Sequence, residues 1–155
     1  MAKEIKNLRK VSRRIITAIK RKENIIICGD ADLDGLASVI ILKESIKNLG
    51  GEATIVYFPD RQREGYGLNM KSLSYFKKFA PALLITVDCG ISSFKEAEQA
   101  EKYNLELIII DHHEVLDRLP KASIIVDPKQ KTDNYPTKQI AAAGIVFRLS
   151  CLLLG

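Results

Sequence analysis

Apolar runs of strand length alternate along this chain with segments of helical periodicity. Residues 25–28 form a short β-branched run, and residues 36–49 then repeat at helical spacing until Gly50-Gly51 stops them. Residues 53–58 read as a strand, 70–79 as a helix and 83–87 as a strand. Ser92 or Ser93 is placed to cap a helix running to about Tyr103, and 105–110 and 124–126 are further strands. The last segment, 140–154, is an apolar helix interrupted by Gly144 and Arg148; it is too short to span a membrane and reads as buried. Strands this apolar, separated by helices, predict an α/β fold: a mostly parallel sheet with helices on both faces. Ahead of it, Ile5, Leu8, Ile15, Ile16 and Ile19 recur at helical spacing among Arg9, Lys10, Arg13, Arg14, Lys20, Arg21 and Lys22. Residues 1–22 are therefore expected to be a basic amphipathic helix packed on the domain of 23–155, its charged face turned to solvent or to nucleic acid.

Composition narrows the class. A chain of 155 residues, 46% hydrophobic and 28% charged, suits one compact soluble domain, and no repeat or flexible linker divides it. No run reaches the roughly 18 uncharged apolar residues of a spanning helix, and the first residues hold no signal-like apolar stretch, so no membrane partner is expected. Cys28, Cys89 and Cys151 fit neither a disulfide framework nor a zinc site, which points to a reducing cytoplasm. The net charge of +5 suits a polyanionic partner.

Three acidic clusters fall where an apolar strand ends. The first strand runs into Gly29-Asp30-Ala31-Asp32-Leu33-Asp34-Gly35, the third into Asp88-Cys89-Gly90, and the fourth into Asp111-His112-His113. In an open parallel sheet the carboxyl ends of the strands share one edge, where ligands bind. Taken singly, an Asp before a helix is most often a cap. The string at 30–35 also has the look of a calcium loop, but Gly35 follows Asp34 directly and Ile41 fills the twelfth position. Taken together, five Asp and both His of the chain would meet in one crevice, and such carboxylates repel each other strongly unless they are protonated or neutralised by cations. Hard oxygen ligands with one or two imidazoles suit Mn²⁺ first and Mg²⁺ next, with Zn²⁺, Fe²⁺ and Co²⁺ also open. The ligand count suffices for two divalent cations bridged by Asp88, a pair able to activate water and stabilise both oxygens of a phosphoester displacement.

These clusters resemble the first three motifs of the DHH phosphoesterase superfamily, the third being Asp111-His112-His113 itself. Two segments resemble its RecJ-like branch of single-strand exonucleases: Arg61-Gln62-Arg63-Glu64-Gly65-Tyr66-Gly67-Leu68, and Pro136-Thr137-Lys138 followed by Ala142-Ala143-Gly144-Ile145-Val146-Phe147. Val126-Asp127-Pro128-Lys129-Gln130 is similar to the strand and turn preceding the latter. The resemblance implies a Rossmann-like three-layer DHH domain, with Asp30, Asp32, Asp34, Asp88 and His112 as metal ligands. It makes His113 the catalytic group that faces or polarises the scissile phosphate, has Asp111 contribute to the metal site or orient its neighbours, and makes Arg61 and Tyr66 substrate-binding residues. It also implies metal-dependent hydrolysis of single-stranded DNA from a 5′ end, in DNA repair and recombination, in the nucleoid-associated cytoplasm and alongside replication or repair proteins.

Some members place a His two residues before the first Asp; here that position is Cys28, read as a buried strand residue. Leu33 is bulkier than the small residue common between the second and third Asp. A fourth motif and a smaller C-terminal domain belong to the superfamily pattern, and Asp127 and Asp133 lie too early to stand for that motif, so the natural chain is expected to continue beyond Gly155. Two other functions stay open. One is a phosphodiesterase for short RNA or cyclic dinucleotides; the other is a replication or repair scaffold of the same fold with weak catalysis, against which the retained Asp and His residues argue.

Overall fold

The computed structural model describes residues 4–155; Met1 to Lys3, the start of the expected N-terminal helix, lie outside the described residues. Helix α1 (Leu8–Lys20) precedes β1 (Asn24–Gly29), α2 (Leu33–Asn48) and β2 (Ile55–Tyr57). Then come α3 (Met70–Phe76), extended by a short 3₁₀ turn (Lys77–Phe79), and β3 (Ala82–Val87). Helix α4 (Phe94–Lys102), β4 (Leu105–Ile110), β5 (Ile124–Val126) and α5 (Ala142–Leu154) complete the chain. The five strands form one sheet in the order β2-β1-β3-β4-β5, and every pairing is parallel.

The strand sequences explain why the sheet is covered on both sides. Alternate residues of β1, β3 and β4 point to opposite faces, and nearly all are apolar and buried. Ile25, Ile27, Leu83, Ile85, Ile108 and Ile110 pack with α1, α2 and α5. Ile26, Cys28, Leu84, Leu107 and Ile109 pack with α3 and α4. Cys28 is thus the buried strand residue expected of it.

Helix α1 buries Leu8, Val11, Ser12, Ile15 and Ala18 and turns most of its basic residues outward. Arg14 is an exception, held between Glu23 and Glu106 with its guanidinium 2.7 Å from the latter. The expectation that α5 is buried holds for one of its faces. Ile145, Val146, Leu149 and Leu153 face the core, but Phe147 and Leu154 are exposed, because the helix lies against α1 and α2 on one side only. Among the described residues no helix is long and apolar enough to cross a membrane.

From β1 the chain crosses to β2 on one side, then returns to β3 on the other. The strand order therefore reverses between β1 and β3, and a crevice opens there beyond their carboxyl ends. Asp30 and Asp88 are the first residues past those ends.

Candidate metal centre

Strand register builds the centre. Gly29 pairs with Val87, Val87 with Ile110, and Ile110 with Val126. The next residue on each of these strands is an aspartate: Asp30, Asp88, Asp111 and Asp127. The backbone ladder continues through that row, the amides of Asp30, Asp88 and Asp111 donating to the carbonyls of Val87, Ile110 and Val126 at 3.4, 2.9 and 2.9 Å. Four buried carboxylates therefore stand along one sheet edge, one per strand, at the usual strand spacing of about 4.8 Å.

Asp30 and Asp32 come from the β1–α2 turn. Asp32 is the N-cap of α2, and its carboxylate accepts the Gly35 amide at 2.9 Å. Gly35 has to be glycine, since a Cβ there would collide with the backbone carbonyl of Asp30. This hydrogen bond holds the Asp32 carboxyl below its ordinary range, helped by Asp88 and Arg61. Arg61 reaches over from the loop after β2, its Nη2 2.8 Å from Asp30 Oδ2 and 3.0 Å from Asp32 Oδ2.

Asp88 lies at the middle of the row and is 2% exposed. Its backbone has φ +61°, in the left-handed region that Asp tolerates better than most residues. Such geometry clusters at functional sites, where the surrounding fold holds it in place. Burial, with Asp34 and Asp32 nearby, pushes the Asp88 carboxyl up to about 8. His112 Nε2 lies 3.1 Å from Asp88 Oδ1 and 3.4 Å from Asp34 Oδ2.

Asp111 works differently. Its oxygens accept the amides of Ile91 at 3.0 Å and His112 at 2.8 Å, and His113 Nδ1 lies 2.6 Å from Oδ1. Burial pushes this carboxyl up, but His113 and the two amides outweigh it and leave it below its ordinary value. Conversely, the Asp111 hydrogen bond raises the half-exposed His113 ring to about 9. Asp111 and His113 thus form an ion pair beside the crevice, with Asp111 fixing the ring.

Two donor groups emerge among the described residues, Asp30 with Asp32 and Asp88, and Asp88 with His112 and His113, each with ligand atoms within 4.8 Å of one another. Asp88 belongs to both. The donors fit divalent cations: oxygen-rich with two imidazoles, and so buried and so crowded by Asp34 and Asp32 that the Asp88 carboxyl is pushed up to about 8.

A model of the DHH family, N-terminal domain, matches residues 24–153. The chain belongs to the DHH family. It is 40% identical over 152 residues to the single-stranded-DNA-specific exonuclease RecJ of Bacillus subtilis (strain 168), covering 98% of this chain and 19% of that protein. The crystal structure of an exonuclease RecJ bound to manganese superposes with a TM-score of 0.86 at 30% identity, covering 97% of this chain and 38% of that one. RecJ from Thermus thermophilus in complex with Mn²⁺ gives a TM-score of 0.81 at 26% identity, covering 99% of this chain and 21% of that one. The chain therefore spans well under half the length of each of these relatives.

Within this DHH domain, the residues picked from sequence do not all stand alike. Asp30, Asp32, Asp88, His112 and His113 converge in the two donor groups. Asp34 stands at the margin: its two oxygens accept the amides of Ala142 and Ala143, at 2.9 and 2.8 Å, and so cap the N-terminus of α5. Tyr66 is 75% exposed, with the Arg61 guanidinium 4.9 Å from its ring centroid, so it is not packed into the domain. Ser93 takes the N-cap position of α4 but makes no side-chain capping bond. A crevice of about 270 Å³ joins Asp30, Asp88, Asp111 and His113 to Tyr66 and the 90–93 loop.

Asp127 is the carboxylate that sequence reasoning left out of the site. It is fully buried, one oxygen accepts the Lys129 amide at 2.8 Å, and the other has no partner. Burial pushes its carboxyl up to about 7, with Asp111 adding to the effect. The signal was the same one used three times elsewhere, an apolar run ending in Asp. Asp133, by contrast, serves the backbone, accepting the amides of Lys6 and Tyr135 at 2.8 and 2.6 Å.

Proposed function

We propose that this DHH domain hydrolyses phosphodiester bonds of single-stranded DNA in a divalent-cation-dependent reaction, working from a 5′ end as part of DNA repair and recombination. The observation that carries the reading is the convergence of Asp30, Asp32, Asp88, His112 and His113 on the crevice at the strand-order reversal. The named activity of the RecJ relatives and their manganese complexes support the substrate and the metal. Two divalent cations, Mn²⁺ before Mg²⁺, fit the two donor groups, which share Asp88. Bound there, they would supply Lewis-acid stabilisation to the attacking and leaving oxygens.

The chain's own residues supply the rest. Asp88 holds the middle of the centre, and His112 backs it at 3.1 Å. Asp111 holds the His113 ring beside the crevice through Nδ1 at 2.6 Å, and the ring can serve the centre either as a neutral ligand or, while protonated, as a donor to a phosphate oxygen. Arg61 provides a second donor fork with geometry suited to phosphate, and the exposed Tyr66 ring offers a stacking face for a base. These contacts track backbone and ring, so little dependence on base sequence is expected.

The test is hydrolysis of a 5′-labelled single-stranded oligonucleotide in Mn²⁺, comparing the wild type with Asp88→Ala. Cleavage that requires Mn²⁺, disappears in the variant and spares duplex DNA supports the reading. No cleavage, or equal cleavage by the variant, contradicts it; preference for a short RNA or a cyclic dinucleotide would reassign the substrate.

A further inference from the structure

Arg61 sits where a cation would. Its Nη2 bridges Asp30 Oδ2 and Asp32 Oδ2 at 2.8 and 3.0 Å, and its Nε lies 3.3 Å from Asp30 Oδ1. These two carboxylates, with Asp88, make up one of the two donor groups. Asp30 Oδ1 also accepts the Ala31 amide, and Asp32 Oδ1 accepts the Gly35 amide. The oxygens left to face the crevice are therefore largely those that Arg61 occupies. A guanidinium and a divalent cation on these oxygens compete for their lone pairs and repel each other, so each weakens the binding of the other.

The arginine also has somewhere to go. It belongs to the irregular segment between β2 and α3, whose Gly65 and Gly67 have φ of +83° and +63°. The Tyr66 ring lies 4.9 Å from the guanidinium carbon, a cation–π contact made while Arg61 also holds the two carboxylates, and one that does not depend on them.

We propose that Arg61 is the built-in counter-cation of the metal-free centre, displaced from Asp30 and Asp32 when a divalent cation binds and thereby freed, beside Tyr66, to meet a substrate phosphate. The inference rests on the hydrolase reading for its last step only. Metal loading and phosphate capture are then coupled through one side chain: before loading, Arg61 neutralises carboxylates; after it, the same fork is free for the anion.

Calorimetric titration with Mn²⁺ alone, without nucleic acid, tests the displacement. Arg61→Ala is expected to bind Mn²⁺ about 3- to 10-fold tighter than the wild type, because an internal competitor has been removed. Arg61→Lys keeps the charge but loses the fork, and is expected to fall between the two. In the wild-type ¹⁵N spectrum, the Arg61 Nε–H resonance, assigned by its absence from Arg61→Lys, should shift on addition of Mg²⁺. Equal or weaker Mn²⁺ binding by Arg61→Ala, Arg61→Lys binding indistinguishable from wild type, or an Nε–H resonance unmoved at saturating Mg²⁺ would each overturn the proposal. A chain that shows the displacement but does not cleave DNA would sink the hydrolase reading and leave this one standing.

Discussion

Asp88 concentrates the chemistry of this molecule in one side chain. It follows the last residue of β3, takes a left-handed backbone conformation and belongs to both donor groups. Burial and the neighbouring Asp34 and Asp32 push its carboxyl up to about 8, and its proton has to leave before the oxygens can ligate. Mn²⁺ affinity should therefore rise steeply from pH 6 to pH 8, with protons released on binding. Titration in two buffers of different ionisation enthalpy measures that release, and a pH-independent affinity would contradict the account. Asp127 gives a second test, of stability. Its folded value of about 7 lies above the ordinary carboxylate value of about 3.9, so the folded state holds the proton that the unfolded chain has lost. Stability contributed by the neutral form is then fully present below about pH 4 and lost as pH rises through 7. In the presence of a chelator, Asp127→Asn should match the wild type near pH 4 and exceed it by about 1–3 kcal/mol at pH 8. Chemical denaturation at the two pH values distinguishes this from a variant equally stable at both. Sequence reasoning weighed Asp127 only as a stand-in for the fourth motif and set it aside, since its strand is only three residues long and Pro128 makes its end look like an ordinary turn. What reveals it is register, which no local pattern carries.

The elements were legible because the chain marks them with period and punctuation. Residues 25–28 and 83–87 are too continuously apolar for a half-exposed sheet, and the structure covers both their faces. Boundaries moved where capping decides them. Helix α2 begins at Leu33 rather than Leu36 because Asp32 caps it, so the acidic loop read from sequence is partly the helix's first turn. Asp34 shows what sequence could not convey. Its acceptors meet the amides of Ala142 and Ala143, 108 and 109 residues later in the chain. Ala141 at the N-cap of α5 has no side-chain acceptor of its own, so Asp34 supplies it from a neighbouring helix. Asp34→Ala should therefore destabilise the fold by about 2 kcal/mol, lowering the melting temperature by roughly 4–8 °C. The effect should persist in a chelator, where a residue acting only as a metal ligand would show none. An unchanged melting temperature under those conditions would remove the structural role.

At the scale of the whole molecule, topology does the assembling. Reversal of strand order between β1 and β3 opens the crevice, and parallel register brings Asp30, Asp88, Asp111 and Asp127 to one edge from positions almost a hundred residues apart. The net charge of +5 on a chain whose crevice is acidic leaves most of its basic residues elsewhere, with Arg9, Lys10, Arg13 and Lys20 clustered on the outward side of α1. That distribution suits a protein holding cations at its centre and polyanions against its surface. The central claim is that the two donor groups sharing Asp88 form one cation centre. Mn²⁺ stoichiometry, read by electron paramagnetic resonance of the free ion during titration, tests it most directly. The account predicts two ions bound per chain and loss of both sites in Asp88→Asn, with the variant still folded. Two ions retained by Asp88→Asn, or none bound by the folded wild type at millimolar Mn²⁺, would contradict it.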